Sequence, residues 1–234
     1  MNKTNLIITG ALGHLGSYLI HKYDFKSFNK VILIDNFVTQ RYSSLFNLKS
    51  NKFTFLELDI NDEKLKKYIS KNDVILHLAA ITDAQSSIKK YKEVEKVNYI
   101  GTKKIIEICI QKKCRLIFPS STSVYGTQKN IVDENCKEED LLPQSPYAEF
   151  KLKSEKMLLR YSKKNKIRFV ILRLGTIFGV SKGMRFHTAV NKFCFQASLN
   201  YPLTVWSTAY NQKRPYLDLI DLKSVLDLIL KRFI

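Results

Sequence analysis

Six short runs dominated by Ile, Val and Leu punctuate the chain: NLIITG (5–10), KVILIDN (30–36), FTFLELD (53–59), DVILHLAA (73–80), RLIFPSS (115–121) and RFVILRLG (168–175). They are continuously apolar instead of alternating, which is how strands buried on both faces read, and such strands belong to parallel sheets covered by helices. Segments with helical spacing lie between them, notably 93–112 and 147–164. The alternation predicts an α/β fold, a doubly wound parallel sheet of the Rossmann type, over residues 1–175. From residue 176 the pattern loosens into TIFGVSKGMRFHTAVNKFCFQASLNYPLTVW, which predicts a helix, a short strand and loops. Ligands of an open α/β sheet bind beyond the carboxyl ends of the strands, so residues 176–234 are expected to form a lid over that edge.

Composition narrows the partners. The chain has 234 residues, 45% hydrophobic and 26% charged, enough for one substantial folded domain. Its four cysteines, Cys109, Cys114, Cys136 and Cys194, form no CxxC pair, and no secretory leader precedes the first apolar run. A disulfide framework or a zinc site is therefore not expected, and the reading is a reduced, cytoplasmic protein with no bound metal. No apolar stretch approaches the roughly 20 residues needed to span a bilayer, so no membrane partner is expected. The outlier is charge: 39 Lys and Arg against 21 Asp and Glu give +18. Such a field favours anionic partners without choosing among them. The lysines are scattered through helix-like segments, which makes a solvated surface the better reading than nucleic-acid binding.

The segment TGALGHLG follows the first apolar run and opens a helix-like stretch, with Gly10, Gly13 and Gly16 at three-residue intervals. Glycine permits a tight turn and close approach to a pyrophosphate, and the free N–H groups of a helix start favour an anion there. A glycine triplet alone also serves plain turns and packing. Here the second run ends in Asp35, nineteen residues after Gly16. A carboxylate at that place accepts hydrogen bonds from a ribose 2′-OH and repels a 2′-phosphate, which selects NAD over NADP. Asp59, at the end of the third run, is placed either near the adenine or as the cap of the following turn.

Tyr147 and Lys151, in SPYAEFK, are four residues apart and so share one face of a helix. By itself the pair is unremarkable helix surface. In order and spacing, however, TGALGHLG, HLAA, VNYIGT, SSTSVYG, SPYAEFK and LRLGTIFG resemble the extended short-chain dehydrogenase/reductases, especially NAD-dependent nucleotide-sugar epimerases and dehydratases. The resemblance covers nearly the whole chain. It implies that Tyr147 is the catalytic acid/base, that Lys151 binds the nicotinamide ribose and lowers the tyrosine pKa, and that Ser121 hydrogen-bonds the reacting hydroxyl. Bringing a phenol from about 10 to neutrality requires about three pKa units, roughly 4 kcal/mol.

The resemblance further implies an NAD-binding set of Gly10, Gly13, His14, Leu15, Gly16, Asp35, Asn36, Asp59, Ile60, Leu78, Ala79, Ala80 and Asn98 together with Tyr147 and Lys151. The substrate side would comprise Thr82, Ser121, Thr122, Ser123, Tyr125, Arg185, Asn191 and Arg214, the last in QKRPYLDLIDL, where an Arg meets a nucleotide diphosphate. His77 and His187 lack metal-ligand company and are expected to be structural. Family dehydratases usually carry an acid just before VYG; Thr122 and Ser123 stand there instead, which favours epimerisation of a nucleotide-diphosphate sugar through a keto intermediate. The alternatives are an NAD-dependent oxidoreductase or dehydratase on a sugar nucleotide, or a non-catalytic cofactor-binding protein. The substrate-binding part is shortened relative to the family, and a homodimer through the helices around Tyr147 is implied.

Overall fold

A computed structural model describes residues 4–126, 131–205, 207 and 210–233. The six apolar runs form six strands, β1 (Leu6–Thr9), β2 (Val31–Asp35), β3 (Phe53–Glu57), β4 (Val74–His77), β5 (Arg115–Ser121) and β6 (Arg168–Leu174). All pair in parallel, in the order β3-β2-β1-β4-β5-β6. The order reverses between β1 and β4, so the connections leaving these two paired strands run to opposite faces of the sheet, which opens a crevice beyond their carboxyl ends. The central strands β1 and β4 are buried along their whole lengths, which explains why they carry no polar alternation.

Helices α1 (His14–Lys22), α2 (Tyr91–Val94), α3 (Thr102–Lys112) and α4 (Pro146–Asn165) flank the sheet, and a π-helical stretch, Glu95–Gly101, joins α2 to α3. Helix α4 starts where its sequence dictates: Ser145 caps it by accepting from the Ala148 amide, and Pro146 occupies the first turn, where its missing N–H costs nothing. Two cores result, one on each face of the sheet. One holds Leu15, Leu19, Phe28, Leu33 and Leu76, and the other Ile34, Ile75, Ile105, Phe118 and Leu158. Phe150 is fully buried, with its ring 5.1 Å from that of Tyr91 and 6.1 Å from that of Tyr99, so a large side chain seals α4 against the α2–α3 segment. Among the described residues no helix is long and apolar enough to cross a membrane.

Beyond β6 the chain forms β7 (Thr176–Phe178), α5 (Ala189–Ser198), β8 (Tyr216–Asp218) and α6 (Leu219–Phe233), with β7 and β8 paired in parallel as a separate two-stranded sheet. The expected division at residue 175 does not describe how α6 packs. Leu219, Leu222, Leu226, Leu230 and Phe233 recur at helical spacing and are buried in the same core as α1 and β1. This helix therefore covers the main sheet, whereas residues 181–191 reach the glycine loop and α1 at its edge.

If α6 is core, Leu226→Ala should cost about 2–5 kcal/mol in urea denaturation, as for other buried leucines. A loss below about 1 kcal/mol, the range of surface changes, would show that α6 is dispensable to the sheet.

Candidate active site at the carboxyl edge of the sheet

The loop after β1 reaches the switch point with Gly10 at φ 66°, a left-handed conformation, and any Cβ there would lie 2.6 Å from the Ala79 amide nitrogen. Only glycine lets the loop meet the chain leaving β4. Helix α1 then begins at Gly13 with no side-chain cap, leaving its first turn open to an anion. The groups closest to a Cβ built on Gly13 are the Gly10 carbonyl and, at 3.8 Å, Arg41 Nη1. These are the requirements of a pyrophosphate cradle, and Arg41 adds a cation to it. Asp35, at the end of β2, accepts from the Leu12 amide at 3.0 Å and from the Phe37 amide at 3.1 Å. A carboxylate has about four acceptor sites, so it both fixes the loop and keeps capacity for a ribose hydroxyl.

Next to it, Asn36 donates to Asp59 at 2.7 Å, and Asp59 also takes the Asn61 amide. Burial opposes the charge on Asp59, yet the bonds from Asn61 and Asn36 and the nearby Lys96 hold its carboxyl below the usual range. Ile60 is buried against Gly101, where a Cβ would lie 2.5 Å from its terminal methyl. Leu78 continues the sheet by donating to the Thr9 carbonyl. Ala80 and Thr82 are half-buried in the segment that follows. Asn98, inside the π-helical stretch, grips that segment with both ends of its amide, accepting from the Ile81 N–H and donating to the Ile81 carbonyl, each at 2.8 Å. His77 is fully buried between Thr9 (2.7 Å) and Thr102 (3.1 Å); burial and the Lys151 charge depress its pKa to about 3, so it is a neutral structural group.

Ser121 ends β5 and accepts from the Ser123 amide while donating to the Ser123 hydroxyl, both at 3.1 Å. The Tyr147 phenol lies within reach of Ser121 and Arg185. Burial pushes its pKa up, and a hydrogen bond with Ser121 and the Arg185 charge pull it back. The net direction is upward, opposite to the shift the resemblance implied, because desolvation outweighs both. The Lys151 ammonium donates to the Pro119 carbonyl at 2.7 Å and lies 4.7 Å from the centre of the Phe118 ring. Burial lowers Lys151 to about 8 against the opposing pull of Glu155.

Arg185 comes from the segment over the edge and sits near Tyr147, Asp83 and Arg41, with its guanidinium 2.6 Å from His187. His14 links that segment to the glycine loop through Ser181 (2.8 Å), and burial with Arg185, Arg41 and His187 lowers its pKa to about 4. The edge of the sheet thus gathers His14, Arg41, Asp83, Tyr147, Arg185 and His187. Arg41 and Asp83 escaped the sequence reading; a lone Arg six residues after Asp35 was the available signal for the first.

Four sequence candidates have their polar groups engaged elsewhere in the chain. Tyr125 turns inward, 9% exposed, with its hydroxyl taking a bond from Arg173 at 3.1 Å. Asn191 is buried, bonded to the Gly179 amide and the Arg185 carbonyl, and so builds the lid. Arg214 is exposed and donates to Gln212 at 3.1 Å. Thr122 directs its hydroxyl to the Leu174 carbonyl, at 3.4 Å.

The chain is similar to known proteins in sequence and in fold. Over 211 residues the chain is 32% identical to an uncharacterised UDP-glucose epimerase of Bacillus subtilis, covering 86% of this chain and 65% of that protein. It is 30% identical over 247 residues to a dTDP-D-glucose 4,6-dehydratase of Dictyostelium discoideum, covering 97% of this chain and 55% of that one. The chain therefore spans between half and two thirds of the length of these relatives. Among solved structures, a mutant UDP-glucuronic acid 4-epimerase of Bacillus cereus in complex with a fluorinated UDP-sugar and NAD superposes with a TM-score of 0.87 at 28% identity, over 97% of this chain and 73% of that one. A sequence model of the NAD dependent epimerase/dehydratase family matches residues 6–233, and the chain belongs to that family.

Proposed function

We propose that the chain carries the machinery for NAD-dependent epimerisation of a nucleotide-diphosphate sugar through a transient keto intermediate. The observation that carries this reading is the convergence of Ser121, Tyr147 and Arg185 beside the open glycine loop. Gly10, Gly13 and the uncapped start of α1 would hold the cofactor diphosphate, and Asp35 the adenosine ribose. When bound, the cofactor supplies a reversible hydride acceptor and a positive ring. Tyr147 would take the proton of the sugar hydroxyl and later return it, while Ser121 orients that hydroxyl. Arg185 biases the phenol toward its ionised form, and Arg41 and Arg185 would supply charge for the sugar-nucleotide diphosphate. Thr122 and Ser123 bring no carboxylate next to Ser121, which favours epimerisation over dehydration. The reading includes a homodimer through the helices around Tyr147, where Tyr91, Ile100 and Leu159 are exposed.

The test is turnover of UDP-sugars with NAD, followed by chromatography of the product. A C4 epimer without net NADH supports the proposal, whereas accumulating NADH or a product lighter by one water assigns oxidation or dehydration instead. Tyr147→Phe should lower turnover by about 10²–10⁴-fold with NAD affinity little changed; wild-type turnover in that variant would exclude Tyr147 as the acid/base.

Lys151 predicts a pH effect of definite sign. Its pKa is about 8 in the folded chain against 10.5 for the free side chain. Between those values the unfolded chain binds the extra proton, so this residue's contribution to stability rises with pH. The difference in unfolding free energy between the wild type and Lys151→Met should shift in favour of the wild type from pH 8 to 10.5. A difference flat with pH would mean that the lysine is not desolvated.

A further inference from the structure

A second cavity lies at the opposite, amino-terminal edge of the sheet. It is a groove of about 1360 Å³, lined among others by Lys71, Lys113, Arg115, Lys166, Arg168 and Asp73. Arg115 and Arg168 are register partners at the starts of β5 and β6, two guanidinium groups side by side on neighbouring strands. Their hydrogen-bond partners are neutral: the Thr4 hydroxyl and the Asn72 carbonyl for Arg115, the Arg232 carbonyl for Arg168. None of the five cations forms an ion pair among the described residues.

A solvated surface does not account for this arrangement. Lys113 and Lys166 cap α3 and α4 in left-handed conformations, where a cation offsets the helix dipole. Each helix end supplies only about half a negative charge, and Asp73 one more, so positive charge remains in excess. Arg115 is 8% exposed and cannot shed its charge into water as a surface lysine does. The cations also follow a row: Lys71 precedes β4, Lys113 and Arg115 meet at β5, and Lys166 and Arg168 at β6. Adjacent strands are about 4.8 Å apart, so the row extends roughly 10 Å across three strands. A single anion would meet one or two of these groups, whereas a chain of linked phosphates would meet them all.

We propose that the groove formed by Lys71, Lys113, Arg115, Lys166 and Arg168 is a second binding site, for a ligand carrying several adjacent phosphates. It is independent of the reaction assigned to the other edge and gives part of the +18 charge a function. The phosphates could belong to a free nucleotide or to a polynucleotide backbone.

The experiment titrates inorganic tripolyphosphate by calorimetry into the full chain in excess NAD. It compares the wild type with Lys71→Glu/Lys113→Glu/Lys166→Glu and with an equally charged control, Lys67→Glu/Lys89→Glu/Lys92→Glu, reversed at exposed positions outside the groove. The groove variant should bind at least about tenfold more weakly and with a shallower salt dependence, while the control keeps most of the affinity. Unchanged thermal melting of both variants verifies folding, and single reversals replace a triple that fails to fold. Equal losses in groove variant and control, or no binding by the wild type, overturn the proposal. Competition identifies the source of the phosphates: displacement by ATP before a ten-nucleotide oligouridylate assigns a nucleotide, and the reverse order a polynucleotide.

Discussion

Glu155 fastens α4 to the sheet. Its buried carboxylate takes three bonds from Arg173 on β6, two from Nε at 3.1 and 3.2 Å and one from Nη2 at 2.7 Å, and another from Ser120 on β5. Arg173 extends the chain to the Tyr125 hydroxyl. Two strands and the turn after Ser121 are thereby tied to one position of α4. Removing one partner of such a pair leaves a buried charge at a cost of about 3–5 kcal/mol, although an apolar replacement of both can be neutral. The pair matters for the arrangement it selects. With Glu155 fixed, Lys151 one turn earlier meets the Pro119 carbonyl, and Tyr147 two turns earlier meets Ser121.

A second set of bonds holds α4 from its other side. In the π-helical stretch the Asn98 carbonyl accepts from both the Thr102 hydroxyl, at 2.7 Å, and Ser154 on α4, at 3.1 Å. Widened helical turns of this kind are frequent at functional sites, where they free backbone groups for other partners. Here the freed carbonyl joins α3 to α4 while the Asn98 side chain holds Ile81. Thr102 passes the connection through His77 to Thr9 at the root of the glycine loop. The glycine loop and the tyrosine helix thus belong to one hydrogen-bonded frame, built from polar groups that are buried but satisfied.

The electrostatics of the two sheet edges follow from chain direction. At the carboxyl edge, α1 begins and the loops bring Arg41 and Arg185 together near Asp35 and Asp83, so positive and negative groups balance around an open crevice. At the amino edge, α3 and α4 end, and the cations collected there exceed what those ends require.

Much of this was legible in the sequence. The six strands stand where continuous apolar runs lie, because strands covered on both faces admit no polar alternation. Gly10 and Asp35 stood out because a backbone conformation and a strand terminus restrict residue type, whereas Tyr147 and Lys151 stood out only through the resemblance of the surrounding motifs to a known family, helical spacing by itself marking ordinary helix surface. Tertiary structure decided the rest. The apolar spacing of residues 219–233 marks a helix but not the core it enters. Arg41, Asp83 and Arg185 meet only because loops from distant segments converge beyond one edge, and no local period records such convergence. The direction of the Tyr147 shift was equally out of reach, since it depends on how much water the folded chain removes and on the Arg185 charge that a distant segment brings near the phenol.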